Sequence, residues 1–312
     1  MKLVVIIPAY NEGDSIASVI QEIPKNINRV DSISVAVIDD GSTDETSKKA
    51  REAGADRIVS FKENMGLAPA FKAGLDAALE LKADIIVNID ADGQYDGGEI
   101  PSLIKPILDE EADIVLGSRF RGRIDGMPFQ KRIGNRMATR ITRFLSGFPC
   151  SDAQTGFRAF SREAALRLNV LSDYTYVQET IIQAVNKGLV IKEVPAHFRK
   201  RTGKSRLIPN IFTYAKRAGI TIMRTYLNYR PLRIFLMLGG LLVLIGLLVG
   251  MRVLTHFLST GLVSPYIPSA ILTAVFVIIG FQVIVLGLLA DLIDTNRKLE
   301  EEILYRLKKG NE

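Results

Sequence analysis

Two carboxylates and an amide stand at alternating positions directly after an apolar segment. Asp90, Asp92 and Gln94 follow residues 84–89, a short run rich in isoleucine and valine. Alternating side chains of an extended segment share one face, so these three can point into one site. Neighbouring carboxylates repel each other, and a divalent cation relieves that repulsion. Such oxygen ligands suit Mg²⁺ or Mn²⁺, which commonly also coordinates substrate phosphates.

Two other polar segments follow apolar runs in the same way. They are Pro8-Ala9-Tyr10-Asn11-Glu12 and Asp39-Asp40-Gly41-Ser42-Thr43-Asp44. A carboxylate at a strand end can accept N–H bonds from a nucleobase or O–H bonds from a ribose. The same residue types also form turns and helix N-caps. The two interpretations are compatible if Ser42 or Thr43 caps a helix while Asp39 faces a ligand.

The elements that position these segments alternate between strand and helix patterns. Short apolar runs at 2–7, 33–38, 57–61, 84–89 and 113–116 are separated by helical patterns at 14–23, 44–53, 68–81 and 99–108. Alternation of this kind predicts an α/β fold with a mostly parallel sheet covered on both faces. Sites in such sheets lie beyond the carboxyl ends of the strands, where the polar segments stand.

Two uncharged segments near the C-terminus are long enough to cross a membrane. Residues 234–251 and 267–290 contain no charged side chain, and a spanning helix needs about 20 apolar residues. They predict spans at about 232–253 and 267–290. Lys and Arg flank the pair on its outer sides and are absent from the connector 253–266. Because basic flanks stay cytoplasmic, we expect an integral membrane protein with both termini and the N-terminal domain in the cytoplasm.

The net charge of +6 is unevenly distributed, and ten Lys or Arg fall in 194–233 without one acidic residue. A basic block that leads into a membrane span favours anionic headgroups or phosphates over nucleic acid. The single cysteine, Cys150, excludes an intrachain disulfide, and no Cys/His cluster has zinc spacing.

Residues 131–148 have the pattern of a basic amphipathic helix. Apolar residues at helical spacing, from Ile133 to Phe148, run beside a stripe of Arg132, Arg136, Arg140 and Arg143. The pattern suits a membrane interface, and a surface helix on the domain core is the alternative. Residues 209–229 have a similar pattern and run into the first predicted span.

Six motifs occur in a fixed order along the chain. They are Pro8 to Glu12, Asp39 to Asp44, Asn64-x-Gly66, Asp90-Ala91-Asp92 with Gln94, Gly117-Ser118-Arg119 and Gln154-Thr155-Gly156-Phe157-Arg158. The set resembles the inverting family 2 glycosyltransferases of GT-A fold, and most of all the polyprenyl-phosphate glycosyltransferases. That group includes dolichyl-phosphate mannose synthase and bacterial undecaprenyl-phosphate glucosyltransferases. The resemblance covers about residues 2–233, and the two spans match the membrane hairpin of some members.

The resemblance implies metal-dependent, inverting transfer of one sugar from a UDP- or GDP-linked donor to a dolichyl or undecaprenyl phosphate at the cytosolic membrane face. It implies Mg²⁺ or Mn²⁺ as cofactor, with Asp92, Arg119 and Arg132 as catalytic residues. The expected nucleotide-binding residues are Pro8, Tyr10, Glu12, Asp39 and Asp90, and the expected metal ligands are Asp90, Asp92 and Gln94. The candidates for the acceptor phosphate are Arg119, Lys131, Arg132, Arg136, Arg201 and Ser205.

The expected acceptor explains why no catalytic histidine stands out. A phosphate monoester has a second pKa of about 6 and is already an anionic nucleophile at neutral pH. It needs positioning and charge screening, which arginines supply bidentately, rather than a general base. We therefore expect direct in-line displacement with inversion, and structural roles for Asp152 and Glu179.

The patterns and the resemblance together divide the chain into four parts. They are a GT-A catalytic domain at 1–207, a juxtamembrane amphipathic helix at 208–230, a transmembrane hairpin at 231–292 and a charged cytosolic tail at 293–312. Leu292, Leu299, Ile303 and Leu307 give the tail a helical spacing that suggests continuation of the second span and self-association into a homo-oligomer.

Three other functions fit parts of the pattern. A processive polysaccharide synthase normally carries a Gln-x-x-Arg-Trp motif and more spans, whereas this chain has no Trp and two predicted spans. A non-catalytic membrane scaffold that binds nucleotide sugars would not need Asp90, Asp92, Gln94 and Arg119 intact. A channel or transporter is disfavoured because the central segments of the spans, 234–251 and 267–290, carry no charge.

Overall fold

The structure, a computed structural model, describes residues 1–170, 176–200 and 231–310. Seven strands of the described chain form one sheet. They are β1 (Lys2–Ala9), β2 (Ser32–Asp39), β3 (Arg57–Ser60), β4 (Ile85–Asn88), β5 (Ile114–Ser118), β6 (Arg158–Ser161) and β7 (Ile191–Pro195). The helices of this part are α1 (Ile16–Glu22), α2 (Thr46–Glu52), α3 (Leu67–Glu80), α4 (Ile100–Leu108), α5 (Phe129–Ser146), α6 (Arg162–Arg167) and α7 (Val177–Asn186).

The sheet order is β3-β2-β1-β4-β6-β5-β7, and β6 alone in this sheet runs antiparallel to its neighbours β4 and β5. The prediction of a mostly parallel α/β sheet is therefore confirmed. Both faces of the sheet are covered, as β1 shows, because every residue from Leu3 to Ala9 is buried. Leu3, Val5 and Ile7 pack with α1 and α4 on one face, and Val4 and Ile6 pack with α3 on the other.

The register of the sheet brings the polar segments of the sequence to one edge. Ala9 at the end of β1 pairs with Asp39 at the end of β2. Ile6 of the same strand pairs with Asn88, the last residue of β4. Because these strands are parallel, the segments that follow them leave the sheet on the same side.

Strand β6 was not predicted from the sequence, and it carries a fully buried arginine. Arg158 donates to the carbonyl oxygens of Thr155 (2.8 Å), Val177 (2.8 Å) and Ala153 (3.0 Å), and to Oγ1 of Thr180 (2.7 Å). A buried guanidinium must have its N–H groups satisfied, and these acceptors do so without a carboxylate.

Helix α5 buries a face of uncharged polar side chains and exposes its large apolar side chains together with its arginines. Asn135, Thr139, Thr142 and Ser146 are buried. Their spacing of four, three and four residues marks one helix face. The large apolar side chains are exposed, Phe129 by 75% and Phe144 by 83%. The other exposed apolar residues of this helix are Ile133, Met137 and Ile141.

The described chain ends with two long helices, α8 (Pro231–Thr260) and α9 (Ile267–Gly310). Both are long and apolar enough to cross a membrane, by length and composition. They pack through glycines, because a methyl group on Gly239 would lie 2.7 Å from the carbonyl oxygen of Gly280. Helix α9 continues through the charged tail, in agreement with the helical spacing of that segment.

The last turn of α9 belongs to the same compact unit as the α/β fold, whereas α8 and the rest of α9 up to Leu304 form a second unit. The Tyr305 hydroxyl donates to Glu163 at 3.0 and 3.1 Å. The Arg167 guanidinium lies 5.0 Å from the centre of the Tyr305 ring. The predicted helix 208–230 and the predicted ligands Arg201 and Ser205 lie outside the described residues.

Candidate active site

A cleft of about 270 Å³ opens beyond the carboxyl ends of β1 and β4. Five residues that the sequence assigned to the nucleotide or the metal line it, namely Pro8, Tyr10, Glu12, Asp90 and Asp92. Another side is closed by Asn64 and Gly66, which precede α3, and by Leu67 at its start. The structure therefore brings together most of the donor-side residues that the sequence predicted.

Asp90 lies at the inner wall of this cleft. Burial, and then repulsion from Asp92, raises the pKa of Asp90 to about 7, although the charges of Arg119, Lys131 and Arg158 act in the opposite direction. The backbone of Gly156 borders its carboxylate so closely that no side chain would fit between them. A carboxylate in this setting gains from a cation that replaces the lost hydration.

The residues of the cleft fit a divalent cation that is shared with a substrate. Asp90 and Asp92 are two carboxylates, and Oδ1 of Asp92 accepts a hydrogen bond from the backbone N–H of Gln94 at 3.1 Å. No group of three or more His, Cys, Asp or Glu in the described chain is arranged to hold a metal alone. Mg²⁺ is commonly held by one or two carboxylates together with substrate phosphates, and the pair matches that use.

Gln94, an expected metal ligand, also forms two hydrogen bonds with the backbone of Arg199. Its side-chain nitrogen donates to the carbonyl oxygen of Arg199 at 3.3 Å. The backbone N–H of Arg199 in turn donates to the carbonyl oxygen of Gln94 at 2.8 Å. These two hydrogen bonds hold the backbone of Arg199 beside Gln94, a predicted metal ligand.

The two adjacent carboxylates at the end of β2, Asp39 and Asp40, have different hydrogen-bond partners. Asp39 accepts from the backbone N–H of Ser42 at 2.8 Å and from the hydroxyl of Ser47. Asp40 accepts from the backbone N–H groups of Met65 (2.7 Å) and Gly66 (2.9 Å), and burial raises its pKa. Asp40 lines the cleft. Asp39, the predicted nucleotide ligand, is buried beside it and makes turn contacts.

Arg119 forms a buried bidentate ion pair with Asp152. Its Nε lies 2.6 Å from Oδ2 and its Nη2 lies 2.7 Å from Oδ1, with both side chains at most 5% exposed. A fork of this geometry fixes the plane of the guanidinium. Asp152 thus has the structural role that the sequence suggested, and it positions a predicted acceptor ligand.

Phe198 brings two of the predicted acceptor ligands together. The Arg119 guanidinium carbon lies 5.2 Å from the centre of the Phe198 ring, and Nζ of Lys131 lies 5.9 Å from the same centre. Arg136 instead lies over Phe120 at 5.5 Å, and Arg132 is exposed on α5. Among the three basic candidates of α5, Lys131 is therefore the one grouped with Arg119.

Sequence reasoning missed several residues that build this site. Gly156 and Arg158 belong to a motif of the sequence, but their buried roles depend on β6, which was not predicted. Asn88 ends β4 and donates to the carbonyl oxygen of Gly156 at 2.7 Å. Phe198 has no sequence signal of its own, because a single aromatic residue after a strand is common in protein cores.

Comparison with known proteins places the fold and the motifs in a family. The family model for glycosyl transferase family 2 matches residues 4–168. A UDP-N-acetylglucosamine–dolichyl-phosphate N-acetylglucosaminyltransferase of Methanococcus voltae is 35% identical over 61% of this chain and 82% of its own. A dolichyl-phosphate hexose transferase of Haloferax volcanii is 30% identical over 73% of this chain and 95% of its own.

A solved structure shows the same fold. Glucosyl-3-phosphoglycerate synthase from Mycobacterium tuberculosis, crystallised with Mn²⁺, UDP and glucosyl-3-phosphoglycerate, superposes with a TM-score of 0.55 at 25% identity. The match covers 72% of this chain and 78% of that one. With the matched family model, the GT-A-like sheet and the carboxylate cleft, the chain belongs to glycosyl transferase family 2 and is a glycosyltransferase.

Proposed function

We propose that this enzyme transfers a single sugar from a nucleotide-diphosphate sugar to a polyprenyl phosphate at the cytosolic face of a membrane. The observation that carries the proposal is the pairing of opposite charges at one site. Asp90 and Asp92 line the cleft, and the charges of Arg119 and Lys131 reach Asp90, where they oppose the rise of its pKa. Carboxylates suit a metal–diphosphate donor, and the cations suit a phosphate acceptor.

The proposal of a nucleotide-sugar donor is supported by the cleft and by the comparisons with known proteins. Pro8, Tyr10 and Glu12 line the cleft where a nucleoside would enter. The names of the relatives include a UDP-sugar donor, and the solved neighbour was crystallised with UDP and Mn²⁺. Asp90 and Asp92, with Gln94, would hold Mg²⁺ or Mn²⁺, which when bound neutralises the diphosphate leaving group. The proposed donor is accordingly a UDP- or GDP-linked sugar.

The proposed acceptor is a phosphate that is already ionised, so the enzyme needs no general base to remove a proton from it. An oxygen of the acceptor phosphate forms the new bond to the anomeric carbon while the bond to the donor diphosphate breaks on the opposite face, which inverts the configuration. Arg119, held by Asp152, and Lys131 would position and screen the acceptor phosphate. Dolichyl phosphate stands in the names of two relatives, and a long isoprenoid would place the reaction at a membrane.

Two features support the membrane location. The helices α8 and α9 are candidate spans. Helix α5, which carries Lys131, exposes its large apolar side chains together with its arginines. Apolar and basic side chains on one exposed surface favour contact with a membrane interface. The basic flanks of the spans support a cytoplasmic position for both termini and for the α/β domain.

Turnover by the purified full-length chain tests the proposal. The assay contains Mn²⁺ or Mg²⁺, a polyprenyl phosphate and a panel of UDP- and GDP-sugars. We expect release of nucleoside diphosphate and a lipid-extractable sugar, both dependent on the acceptor. Asp92→Asn should abolish turnover, whereas the surface variant Asp109→Asn should retain it. Donor hydrolysis without a lipid product would refute the acceptor assignment, and full activity of Asp92→Asn would refute the metal assignment.

A further inference from the structure

A second cavity, of about 490 Å³, lies beside α5 and shares no lining residue with the donor cleft. Three arginines, Arg136, Arg140 and Arg143, line it together with the apolar side chains of Phe120, Ile133 and Met137. Ligand pockets commonly have volumes of about 300–1,000 Å³, so the cavity can hold a small polar group. We call this cavity the α5 groove.

The arginines of the α5 groove have no acidic partner in the described chain. Arg136 lies over the Phe120 ring, and Arg143 donates to the carbonyl oxygen of Cys150. No ion pair of the described residues includes Arg140. Three neighbouring cations repel one another unless an anion neutralises them. Guanidinium groups are suited to phosphate, which they bind bidentately.

The surroundings of the α5 groove indicate that its anion carries apolar chains. Ile133 and Met137 are lining residues, and they are exposed by 48% and 63%. They continue into the apolar face of α5 that ends at Phe144. A basic stripe beside such a face matches the boundary between lipid headgroups and acyl chains.

We infer that the α5 groove binds the phosphate group of an anionic bilayer phospholipid, whose acyl chains lie along the exposed apolar face of α5. This lipid is neither the sugar donor nor the acceptor, whose phosphate we assign to Arg119 and Lys131 at Phe198. The site gives the enzyme a preference for anionic membrane surfaces that does not depend on its turnover.

A fluorescence measurement on the full-length protein in lipid nanodiscs tests this inference without any turnover. The chain has no Trp, so Phe144→Trp introduces a single reporter on α5. Brominated phosphatidylglycerol and brominated phosphatidylcholine, at equal mole fraction, serve as the quenching probes. A lysine or arginine near an anionic surface contributes about 1 kcal/mol, so local enrichment of the anionic lipid should be about fivefold per arginine. We expect stronger quenching by phosphatidylglycerol.

Variants in the reporter background localise the effect. Arg140→Gln with Arg143→Gln should make quenching by the two lipids equal. Arg140→Gln alone should weaken the preference. This variant keeps the hydrogen bond from Arg143 to Cys150, and no hydrogen bond or ion pair of Arg140 is seen in the described chain, so we expect it to fold normally. Lys49→Gln with Arg51→Gln removes the same charge from α2 and should leave the preference unchanged.

Two outcomes would overturn the inference. One is an undiminished preference in the Arg140→Gln, Arg143→Gln variant, which would place the lipid contact elsewhere. The other is equal quenching by both lipids in the reporter protein; binding of soluble glycerol phosphate to that same protein would then assign the α5 groove to a free phosphate instead of a lipid.

Discussion

The backbone of Gly156 touches the carboxylate of Asp90. A methyl group at Gly156 would lie 2.6 Å from Oδ1 of Asp90 and still closer to Oδ2. The side-chain nitrogen of Asn88, two residues before Asp90, donates to the carbonyl oxygen of Gly156 at 2.7 Å and holds this backbone in place. The position of a predicted metal ligand is therefore set by the absence of a side chain in a segment 66 residues further along the chain.

Gly156→Ala should impair the active site without unfolding the domain. The added methyl group must displace the Asp90 carboxylate, and a misplacement of about 1 Å can cost about 10²-fold in activity. We expect a loss of this order in kcat/KM and weaker Mn²⁺ binding, measured by titration of the purified protein. Gly134→Ala is the matched control, because a methyl group there meets nothing within 4 Å. Equal metal affinity in both variants would contradict the prediction.

Asp152→Asn should destabilise the protein strongly. The substitution leaves the buried Arg119 guanidinium without its counter-charge, and breaking one side of a buried ion pair costs about 3–5 kcal/mol. Thermal unfolding in detergent measures the loss, and the KM for the acceptor should rise because Arg119 is no longer held. Glu45→Gln, which removes an exposed pair with Lys48, should leave the melting temperature unchanged. A melting temperature for Asp152→Asn equal to that of the parent would refute this role.

The stability of the metal-free protein should depend on pH through Asp90. The pKa of Asp90 is raised to about 7 by burial and by Asp92, whereas an aspartate in the unfolded chain titrates near ~3.9. Between these values the folded state holds a proton that the unfolded state has lost. By linkage, the free energy of unfolding falls as pH rises from about 4 to about 7, and it is level above that range.

Cation binding has the opposite dependence, because the bound cation requires the ionised carboxylate. The increase in melting temperature on adding Mn²⁺ should therefore grow as pH rises toward about 7. Thermal unfolding at a series of pH values, with and without Mn²⁺, measures how this increase in melting temperature depends on pH. In Asp90→Asn the Asp90-dependent slope should disappear, and a parent-like slope in that variant would assign the effect to another group.

Adjacent glycines in α8 should respond differently to the same substitution. A methyl group on Gly239 would lie 2.6 Å from a side-chain carbon of Ile284 and 2.7 Å from the carbonyl oxygen of Gly280, whereas one on Gly240 meets nothing within 4 Å. Overpacking of this kind typically costs about 1–3 kcal/mol. Unfolding in detergent should show destabilisation by Gly239→Ala and none by Gly240→Ala. Equal effects would mean that α8 and α9 do not pack through these glycines.

The fold could be predicted where local pattern and burial agree. The five predicted strands correspond to β1 to β5, because each is a short apolar run in a buried sheet. Strand β6 was missed because its first residue is Arg158, and an arginine rarely stands in a buried strand unless a distant network satisfies it. Strand β7 was missed because it lies at the edge of the sheet and mixes exposed and half-buried residues.

The site could be predicted on its donor side and less well on its acceptor side. Motifs that directly follow strands identified Asp90 and Asp92, because sheet geometry alone places them. The choice among Lys131, Arg132 and Arg136 depends on which side of α5 faces Phe198, and Phe198 is distant in sequence. Likewise, sequence could not separate Asp39 from Asp40, because the N–H groups of Met65 and Gly66 decide which carboxylate borders the cleft.

The contact of Tyr305 with Glu163 and Arg167 changes how the chain should be divided. Because the last turn of α9 returns to the α/β unit, the hairpin is an insertion within that unit and not an appendage at its end. Truncation before α8 therefore removes a piece of the α/β unit itself, and the Glu163–Arg167 surface loses its cover. A variant without the two candidate spans should therefore keep the segment from Tyr305 onward, so that Glu163 and Arg167 retain their partner.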